Sequence, residues 1–473
     1  MADDINYLIV NAPNIPQNDP SILIEPVDAL TLATWIQHNH NDVSFIDLDR
    51  FGIGVLNSLK SHYKVALVVF DYLIPLYSSG AIKCFDDLFS AISKVADYIL
   101  LVGRLASYFP HEMLNKFSML YGCVAGEPEI VLVDLFKHKN LRLLESNPSV
   151  ITRKNKNYFN NFKLSFTSKS ANIYDFFPKS GPIANRKLCQ FNEYIDVHSI
   201  ISSRGCDGCC KFCSTPGYLG YWRAASPQLV LSEIKHLVNL GAYKIIFLDD
   251  NFSTDRNRVE QICKSIKENR INIIWGCLCR IVDVNEDLLN EMYEAGCRWI
   301  HFGIEHGDHN IRRSLGKNFS DTRAIKIIKF AQKIGIRVRT SWILDLPEAT
   351  NVSVKKTFEL AKKISSYEIK LHFLALRPGS IYYNNQLKFR KFNGDGNVNE
   401  ISIHKGQPHN TSNEALKIDI IKQLNEFKAE MYVLGHQWIP NVAFWKKFNN
   451  RVILPDEKFF STSIMKYGLG WKQ

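Results

Sequence analysis

The sequence predicts an α/β protein in which a doubly wound parallel domain precedes a partial (β/α)6 barrel and a small helical C-terminal region. Three observations predict it. Strand-length apolar runs alternate with amphipathic stretches over residues 5–136. After an irregular interval the alternation resumes at Val197 with a longer period. Four of the 11 cysteines then fall within Cys206–Cys213, at the end of the first strand of that second repeat. At roughly 100–200 residues per domain, 473 residues suit two or three cored domains. With 46% hydrophobic and 22% charged residues the chain is globular, which excludes a disordered scaffold.

In the first half, Tyr7–Asn11, Val43–Asp47, Val65–Phe70, Tyr98–Val102 and Tyr121–Val124 read as buried parallel strands, because they are apolar nearly throughout instead of alternating. A helix fits Pro26–Asn39, with proline in its first turn and Val27, Leu30, Ala33 and Ile36 on one face. Others fit Ala81–Ala96 and the stretch after Pro110. These elements give a five-stranded flavodoxin-like or Rossmann-like domain over residues 1–136, and such sheets bind ligands beyond the carboxyl ends of their strands. Residues 137–195 lose the pattern and read as a surface connector with room for a short hairpin.

The second repeat, 196–389, offers strands at Val197–Ser202, Lys244–Leu248, Ile273–Cys277, Trp299–Gly303, Arg337–Ile343 and Lys370–Leu376. Helices fit at Pro227–Leu240, Arg256–Asn269, Glu286–Ala295, Thr322–Ile334 and Ser353–Ser365, several stopped by Gly241, Gly296 or Gly335. Six βα units suggest an open barrel with its chemistry at the carboxyl ends of the strands. Residues 390–473 read as mostly helical, helix Glu414–Leu434 included, on the substrate side.

Lys and Arg exceed Asp and Glu by 58 to 47, a formal charge of +11, which favours anionic partners. No long Lys/Arg block accompanies the surplus, and short stretches such as Arg153–Lys156 read as solvated faces, so a nucleic-acid partner is not expected. No apolar run reaches the roughly 18–20 residues of a membrane span, and residues 1–6 lack a basic signal-peptide region. The expected location is the cytoplasm, where many cysteines point to metal or redox chemistry more than to disulfides. Cys84, Cys123, Cys189, Cys263, Cys277, Cys279 and Cys297 are scattered and mostly suit small core positions.

The cluster Cys206-Asp-Gly-Cys209-Cys210-Lys-Phe-Cys213 has two parsings. Two back-to-back C-x-x-C pairs would suggest zinc, although zinc sites normally separate their pairs by a long spacer. The alternative is C-x-x-x-C-x-x-C through Cys206, Cys210 and Cys213, with Cys209 a bystander. Three thiolates can hold three irons of a [4Fe–4S] cluster and leave the fourth iron without a protein ligand.

That triad, at the end of a first barrel strand, closely resembles the radical S-adenosylmethionine (radical SAM) superfamily, whose clusters bind S-adenosylmethionine through the vacant iron. The resemblance places Phe212 near adenine. Phe247-Leu-Asp249-Asp250-Asn-Phe252 is similar to the second-strand motif beside the methionine amine, and Trp275–Arg280 to the third strand, with Arg280 past its end. Gly303-Ile-Glu305-His-Gly307 is similar to the family's Gly-x-Glu-x-Gly segment, which makes Glu305 a candidate for the nucleoside or the amine. Arg339 would seat the methionine carboxylate if it faces the barrel, or pair with an acid if it faces a helix.

A doubly wound domain ahead of this barrel resembles the cobalamin-binding branch of the superfamily. Gly103, Ser107, Gly126 and Glu127 stand where that branch brings small residues and a Gly-Glu-x-Glu turn to the corrin. The Asp-x-His-x-x-Gly signature that ligates cobalt elsewhere does not occur, so no lower cobalt ligand is expected from it. The resemblance implies an enzyme with three cofactors: a [4Fe–4S] cluster, S-adenosylmethionine and cobalamin. It also implies an external electron donor such as flavodoxin or ferredoxin, and a small-molecule substrate. The leading expectation is methylation of an unactivated carbon; radical rearrangement or cyclisation is the first alternative. An RNA methylthiotransferase is the second, set back by the lack of an upstream cysteine triad. No catalytic acid or base is identified: Tyr218, Tyr221, His301, His306 and His372 each also suit a structural position.

Overall fold

The structure is a computed structural model of the whole chain, and it describes residues 5–13, 25–70, 79–154, 181–191, 194, 197–372, 374, 377–385, 414–433, 436–438 and 458–462. Most of the expected connector beyond residue 154 and most of 390–473 lie outside these. The chain divides into two compact units: Met1–Ile195 with Thr215–Ala225, and Asp196–Ser214 with Ser226–Gln473.

In the first unit, β1 (Asn6–Asn11), β2 (Asp42–Asp47), β3 (Tyr63–Val69), β4 (Ala96–Val102), β5 (Gly122–Val124) and β6 (Val150–Thr152) form one sheet in the order β2-β1-β3-β4-β5-β6. The first five are parallel, as their apolar runs predict. Both faces are covered, which is why the runs do not alternate. Tyr7, Ile9, Val65, Leu67 and Leu100 pack toward α1 (Val27–His38) on one side. An aromatic group joins Phe70 to Phe85, Phe89 and Phe117, with Phe85 and Phe89 on α2 (Ser79–Ile92). Short helices α3 (Arg104–Tyr108) and α4 (Pro110–Lys116) follow β4.

Two expectations change here. The sheet has six strands, because Val150–Thr152 of the expected connector pairs antiparallel with β5. Arg153 is no solvated charge: its guanidinium donates to the carbonyls of Leu114, Phe117 and Leu120 at 2.6, 2.8 and 2.5 Å. Carbonyls at the end of a helix need such donors, and here they come from beyond the last strand.

The second unit is built on β7 (His198–Ile200), β8 (Lys244–Phe247), β9 (Ile274–Cys279), β10 (Cys297–Glu305), β11 (Arg337–Ile343) and β12 (Glu368–His372), adjacent in chain order and parallel. Helices α5 (Pro227–Asn239), α6 (Arg256–Glu268), α7 (Glu286–Glu294), α8 (His309–Ser314), α9 (Asp321–Lys333) and α10 (Asn351–Ile364) lie between them. Ser226, Asp255, Asn285, Ser320 and Thr350 each accept a hydrogen bond from the third amide of their helix, so polar caps set where five of these helices begin. The expected C-terminal helix is α11 (Glu414–Val433), whose Phe427 stacks on Phe358 of α10 at 4.8 Å. Two strands not expected, β13 (His436–Trp438) and β14 (Lys458–Thr462), extend the sheet past β12 in the order β13-β14-β12.

Candidate active site

Four cysteines follow β7 on a loop pinned by backbone contacts. The Cys213 amide donates to the Cys210 carbonyl (3.0 Å), the Lys211 amide to Leu315 (3.2 Å), and the Tyr382 amide to the Lys211 carbonyl (3.0 Å). Cys209 is the exposed member, while Cys206, Cys210 and Cys213 are half-buried. Burial pushes the Cys206 thiol up and the Cys210 thiol to about 11; neighbouring Arg280 pulls the first down and Lys317 the second. Cys213 lies near enough to raise the thiols of both Cys206 and Cys210, and Cys206 that of Cys210. Gly208 shows why no side chain stands between them. A Cβ there would lie 3.2 Å from Cys206 Sγ, 3.9 Å from Cys210 Sγ and 3.8 Å from Arg280 Nη1. The glycine lets two sulfurs and a guanidinium approach the loop backbone where a Cβ would crowd them. That fits a cluster held by three thiolates, whose net charge is negative. Among the described residues no three His, Cys, Asp or Glu side chains converge on a single ion; cluster ligands bind separate irons.

The Gly303–Gly307 segment closes β10. Glu305 sits at φ 71°, in the left-handed region a side chain rarely adopts. Its carboxylate folds back over Gly303, where a Cβ would come within 2.2 Å of Oε1 and 2.7 Å of Lys317 Nζ. Lys317 pairs with Glu305 at 3.0 Å and donates to the Gly303 carbonyl at 3.0 Å. Burial opposes the charge on Lys317, but Glu305 and Cys210 outweigh it and raise its pKa. Gly307 is pressed against α10, with a would-be Cβ 2.3 Å from Thr357 backbone atoms. Fully buried Arg312 donates to the carbonyls of His306 (2.8 Å) and Gly307 (3.0 Å), and pairs with Asp321.

Asp249 anchors the start of the cysteine loop. It is fully buried and accepts from the Ser202 amide, Ser202 Oγ and Ser203 Oγ, each at 2.6 Å. Burial raises its pKa, with Arg258 pulling the other way, and Arg258 also donates to the Ser202 carbonyl at 2.8 Å. Through these bonds Asp249 fixes the chain entering the cysteine loop. Asp250 lies near enough to Cys206 to raise its thiol. Phe212 is half-buried on the Cys210–Cys213 turn. Arg280 lies 3.9 Å from Asp283, and Asp283 accepts from Asn251 at 2.7 Å. Arg339 combines its two expected options. It shares a strand face with Ser341, yet pairs with Glu368 at 2.7 Å and lies 4.8 Å over the Trp299 ring.

In the first unit the four residues singled out at the carboxyl edge of the sheet do come together. Gly103 and Gly126 adopt φ near 103° and 102°, conformations that suit glycine. Ser107 bridges them: its hydroxyl donates to the Gly103 carbonyl at 2.8 Å and accepts from the Gly126 amide at 2.9 Å. Glu127 is buried in an ion pair of 2.5 Å with Arg223. Ser107 and Glu127 therefore shape the turns, and the sequence missed Arg223. Its Nη2 also donates to Leu219 (2.9 Å), whereas its buried Nε and Nη1 have no hydrogen-bond partner among the described residues. Two buried, unmatched N–H donors are costly unless a ligand meets them, and the carboxamides around a corrin are acceptors of that kind.

Lys317, Arg312 and Arg223 are the functional candidates the sequence did not show. Only Lys317 carried a signal, the Gly316-Lys317 step, where Gly316 packs on the Cys209 carbonyl.

Residues 200–361 match the family model described as the radical SAM superfamily. An uncharacterised methyltransferase of Pyrococcus horikoshii is 32% identical over 189 residues, 39% of this chain and 41% of the relative. The chain thus spans well under two thirds of that relative's length. A solved structure of the radical S-adenosylmethionine methyltransferase TsrM from Kitasatospora setae, with cobalamin and a [4Fe–4S] cluster bound, superposes with a TM-score of 0.66 at 15% identity. It covers 81% of this chain and 75% of that one. The cobalamin-dependent S-adenosylmethionine radical enzyme OxsB gives a TM-score of 0.60 at 18% identity, over 82% and 56% of the two chains. The matched segment begins in the strand that leads into Cys206, Cys210 and Cys213, so residues 200–361 are similar to the radical SAM superfamily, and the chain shares its fold with both enzymes.

Proposed function

We propose that this enzyme is a cobalamin-dependent radical SAM methyltransferase acting on an unactivated carbon of a small molecule. One observation carries the reading. A single chain holds the Cys206–Cys210–Cys213 loop, with two of its sulfurs drawn in around Gly208, and also a doubly wound unit whose carboxyl edge presents Arg223 with two donors unmatched among the described residues. When bound, the cluster with S-adenosylmethionine supplies a carbon radical able to abstract hydrogen, and cobalamin supplies the methyl group.

The chain's own residues bind and orient. Cys206, Cys210 and Cys213 would hold the cluster, with Arg280 balancing its charge. Glu305, fixed by Lys317 and the Gly303 cleft, would take a polar group of the nucleoside or the amine, and Phe212 would pack on the adenine. Gly103 and Gly126 would admit the corrin to the backbone, and Arg223 would donate to its amide carbonyls. Hydrogen abstraction needs no basic side chain. Reduction calls for an external electron donor, of the flavodoxin or ferredoxin kind.

A by-product assay tests this reading. Methyl transfer by this route consumes two molecules of S-adenosylmethionine, giving S-adenosylhomocysteine and 5′-deoxyadenosine in about equal amounts, each matching methylated product. Deuterium at the attacked carbon should pass into 5′-deoxyadenosine. Rearrangement or cyclisation would give 5′-deoxyadenosine alone, and polar methylation S-adenosylhomocysteine alone; either result refutes the methyltransferase assignment.

A further inference from the structure

Alternation along β8–β11 gives this sheet two faces. Phe247, Cys277, Ile300, Phe302, Val338 and Trp342 are fully buried on one. The other leads up to the cysteine loop. Gly276 and Leu278 precede Arg280, whose guanidinium reaches Gly208, and His301 precedes Gly303, over which Glu305 and Lys317 close. Its side chains stand in rows. In the lowest, Gly276 lies beside Trp299 and the indole crosses it, so that a Cβ on Gly276 would come within 2.8 Å of Trp299 Cε3. Arg339 stacks 4.8 Å from the indole ring and pairs with Glu368 at 2.7 Å. An aromatic ring under an ion pair thus forms a floor.

The next row sets Leu278, His301 and Arg339 side by side. His301 Nε2 lies 2.6 Å from Ser341 Oγ, and the imidazole stands 6.0 Å from the Trp299 ring. It makes no other hydrogen bond among the described residues, which leaves Nδ1 to a ligand. Burial above all pushes its pKa well below the ordinary range, so the ring is neutral, with one nitrogen donating and the other accepting. The Ser341 hydroxyl can rotate to serve either tautomer. His301 and Leu278 are half-buried, and Leu248, just past β8 and still bonded through its amide to Ile200, is 42% exposed. Partly uncovered apolar side chains around a convergent polar group are what a small-molecule site presents. Gly303 lies two residues, about 7 Å, above His301. S-adenosylmethionine held at Glu305 therefore leaves His301 to the substrate.

We propose that His301 binds the substrate beneath S-adenosylmethionine. Its Nδ1 meets an uncharged group, a hydroxyl, an amide or a ring nitrogen, and the apolar frame bearing that group lies against Leu278 and Leu248. Ser341 is the positioning residue that holds the imidazole. With Arg339 paired to Glu368, a carboxylate or ammonium at His301 would be buried against a neutral partner, which is costly. The inference rests on the radical SAM reading and narrows its substrate class.

The test uses the full chain with its cluster reconstituted and S-adenosylmethionine present. Benzamide, benzoate and benzylamine share a benzene ring and differ in charge, and their binding is followed by ligand-observed NMR. Benzamide should bind, and the two ions at least tenfold more weakly. His301→Leu, which keeps much of the ring's bulk, should weaken benzamide about tenfold without changing iron content or S-adenosylmethionine binding, and His301→Gln should recover part of the loss. Benzamide should also move one imidazole signal of protein carrying carbon-13-labelled histidine, the signal missing from His301→Gln. Ser341→Ala should shift that same signal before any probe is added. The proposal is overturned if benzamide does not bind, if benzoate or benzylamine binds more tightly, or if His301→Leu binds benzamide like wild type. Should benzamide bind only after S-adenosylmethionine is withdrawn, His301 belongs to the seat of that cosubstrate and the proposal likewise falls. Failure to take up cluster or S-adenosylmethionine would instead refute the parent reading.

Discussion

Each cysteine of the loop has its own environment, and the residue scale is where the two parsings separate. Cys206 and Cys210 flank Gly208 and, with Cys213, share one electrostatic neighbourhood, whereas Cys209 is exposed and its carbonyl packs against Gly316. Replacing Cys206, Cys210 or Cys213 by alanine should therefore abolish the roughly four irons per chain expected after anaerobic reconstitution. Cys209→Ala should keep them. Iron analysis with the cluster's absorption spectrum checks this, and equal dependence on all four cysteines, or zinc at stoichiometric level, would favour the paired C-x-x-C arrangement. Gly208→Ala offers a steric companion, because its Cβ would sit 3.2 Å from Cys206 Sγ.

Elements place these residues, and their legibility in the sequence depended on how local their causes are. Five parallel strands of the first unit and six of the second show in their apolar runs, because each strand is buried on both faces or against helices. β6 escaped because three residues in a polar connector carry no periodicity; its pairing with Gly122–Val124 is a long-range event. β12 begins at Glu368, two residues ahead of its apolar reading, since the Arg339–Glu368 pair extends the strand with a buried acid. The anchoring role of Asp249 escaped for the same kind of reason: its partners Ser202 and Ser203 lie some 46 positions away. The turn that ends β10 gives a prediction at this scale. His306 is fully buried and its Nδ1 accepts from the Asp308 amide at 3.1 Å, so the ring is neutral. Burial, with Arg312 and Lys356 adding to it and Asp308 opposing, lowers its pKa from 6.5 to about 4. A depressed histidine pKa means that the unfolded chain takes up the proton first. Stability from this group is thus complete above pH ~6.5, falls as the pH drops toward ~4 and is constant below, a total of about 3 kcal/mol. Denaturant midpoints of wild type and His306→Gln, measured from pH 7 to 4, should converge by roughly that amount as the medium acidifies. Parallel curves would show that another group titrates.

The whole molecule joins two binding problems in one chain, and its contact pattern assigns them to different units. The cysteine loop, Glu305, Lys317 and Arg280 belong to the second unit; Gly103, Ser107, Gly126, Glu127 and Arg223 belong to the first, with Arg223 reaching it through the segment Thr215–Ala225. Sites built on separate cores should fill separately even if turnover needs both. Anaerobic wild-type protein given hydroxocobalamin should keep about one corrin spectrum per chain after desalting, with no imidazole coupling in the cobalt(II) paramagnetic spectrum. Cys206→Ala should lose its iron and keep the corrin. Arg223→Met should do the reverse. Its loss removes donors to a ligand and also leaves Glu127 buried without its partner, a change that costs 3–5 kcal/mol in comparable pairs, so Arg223→Lys, which keeps the charge near Glu127, separates the two effects. If Arg223→Lys folds like wild type but binds corrin at least tenfold more weakly, the spare guanidinium donors are ligand contacts. If it binds corrin like wild type, Arg223 serves only to hold the Gly126–Glu127 turn, and the corrin is held by other groups of the first unit. Loss of corrin in every cluster-free variant would show that the two sites are one cooperative site, contrary to their placement on separate cores.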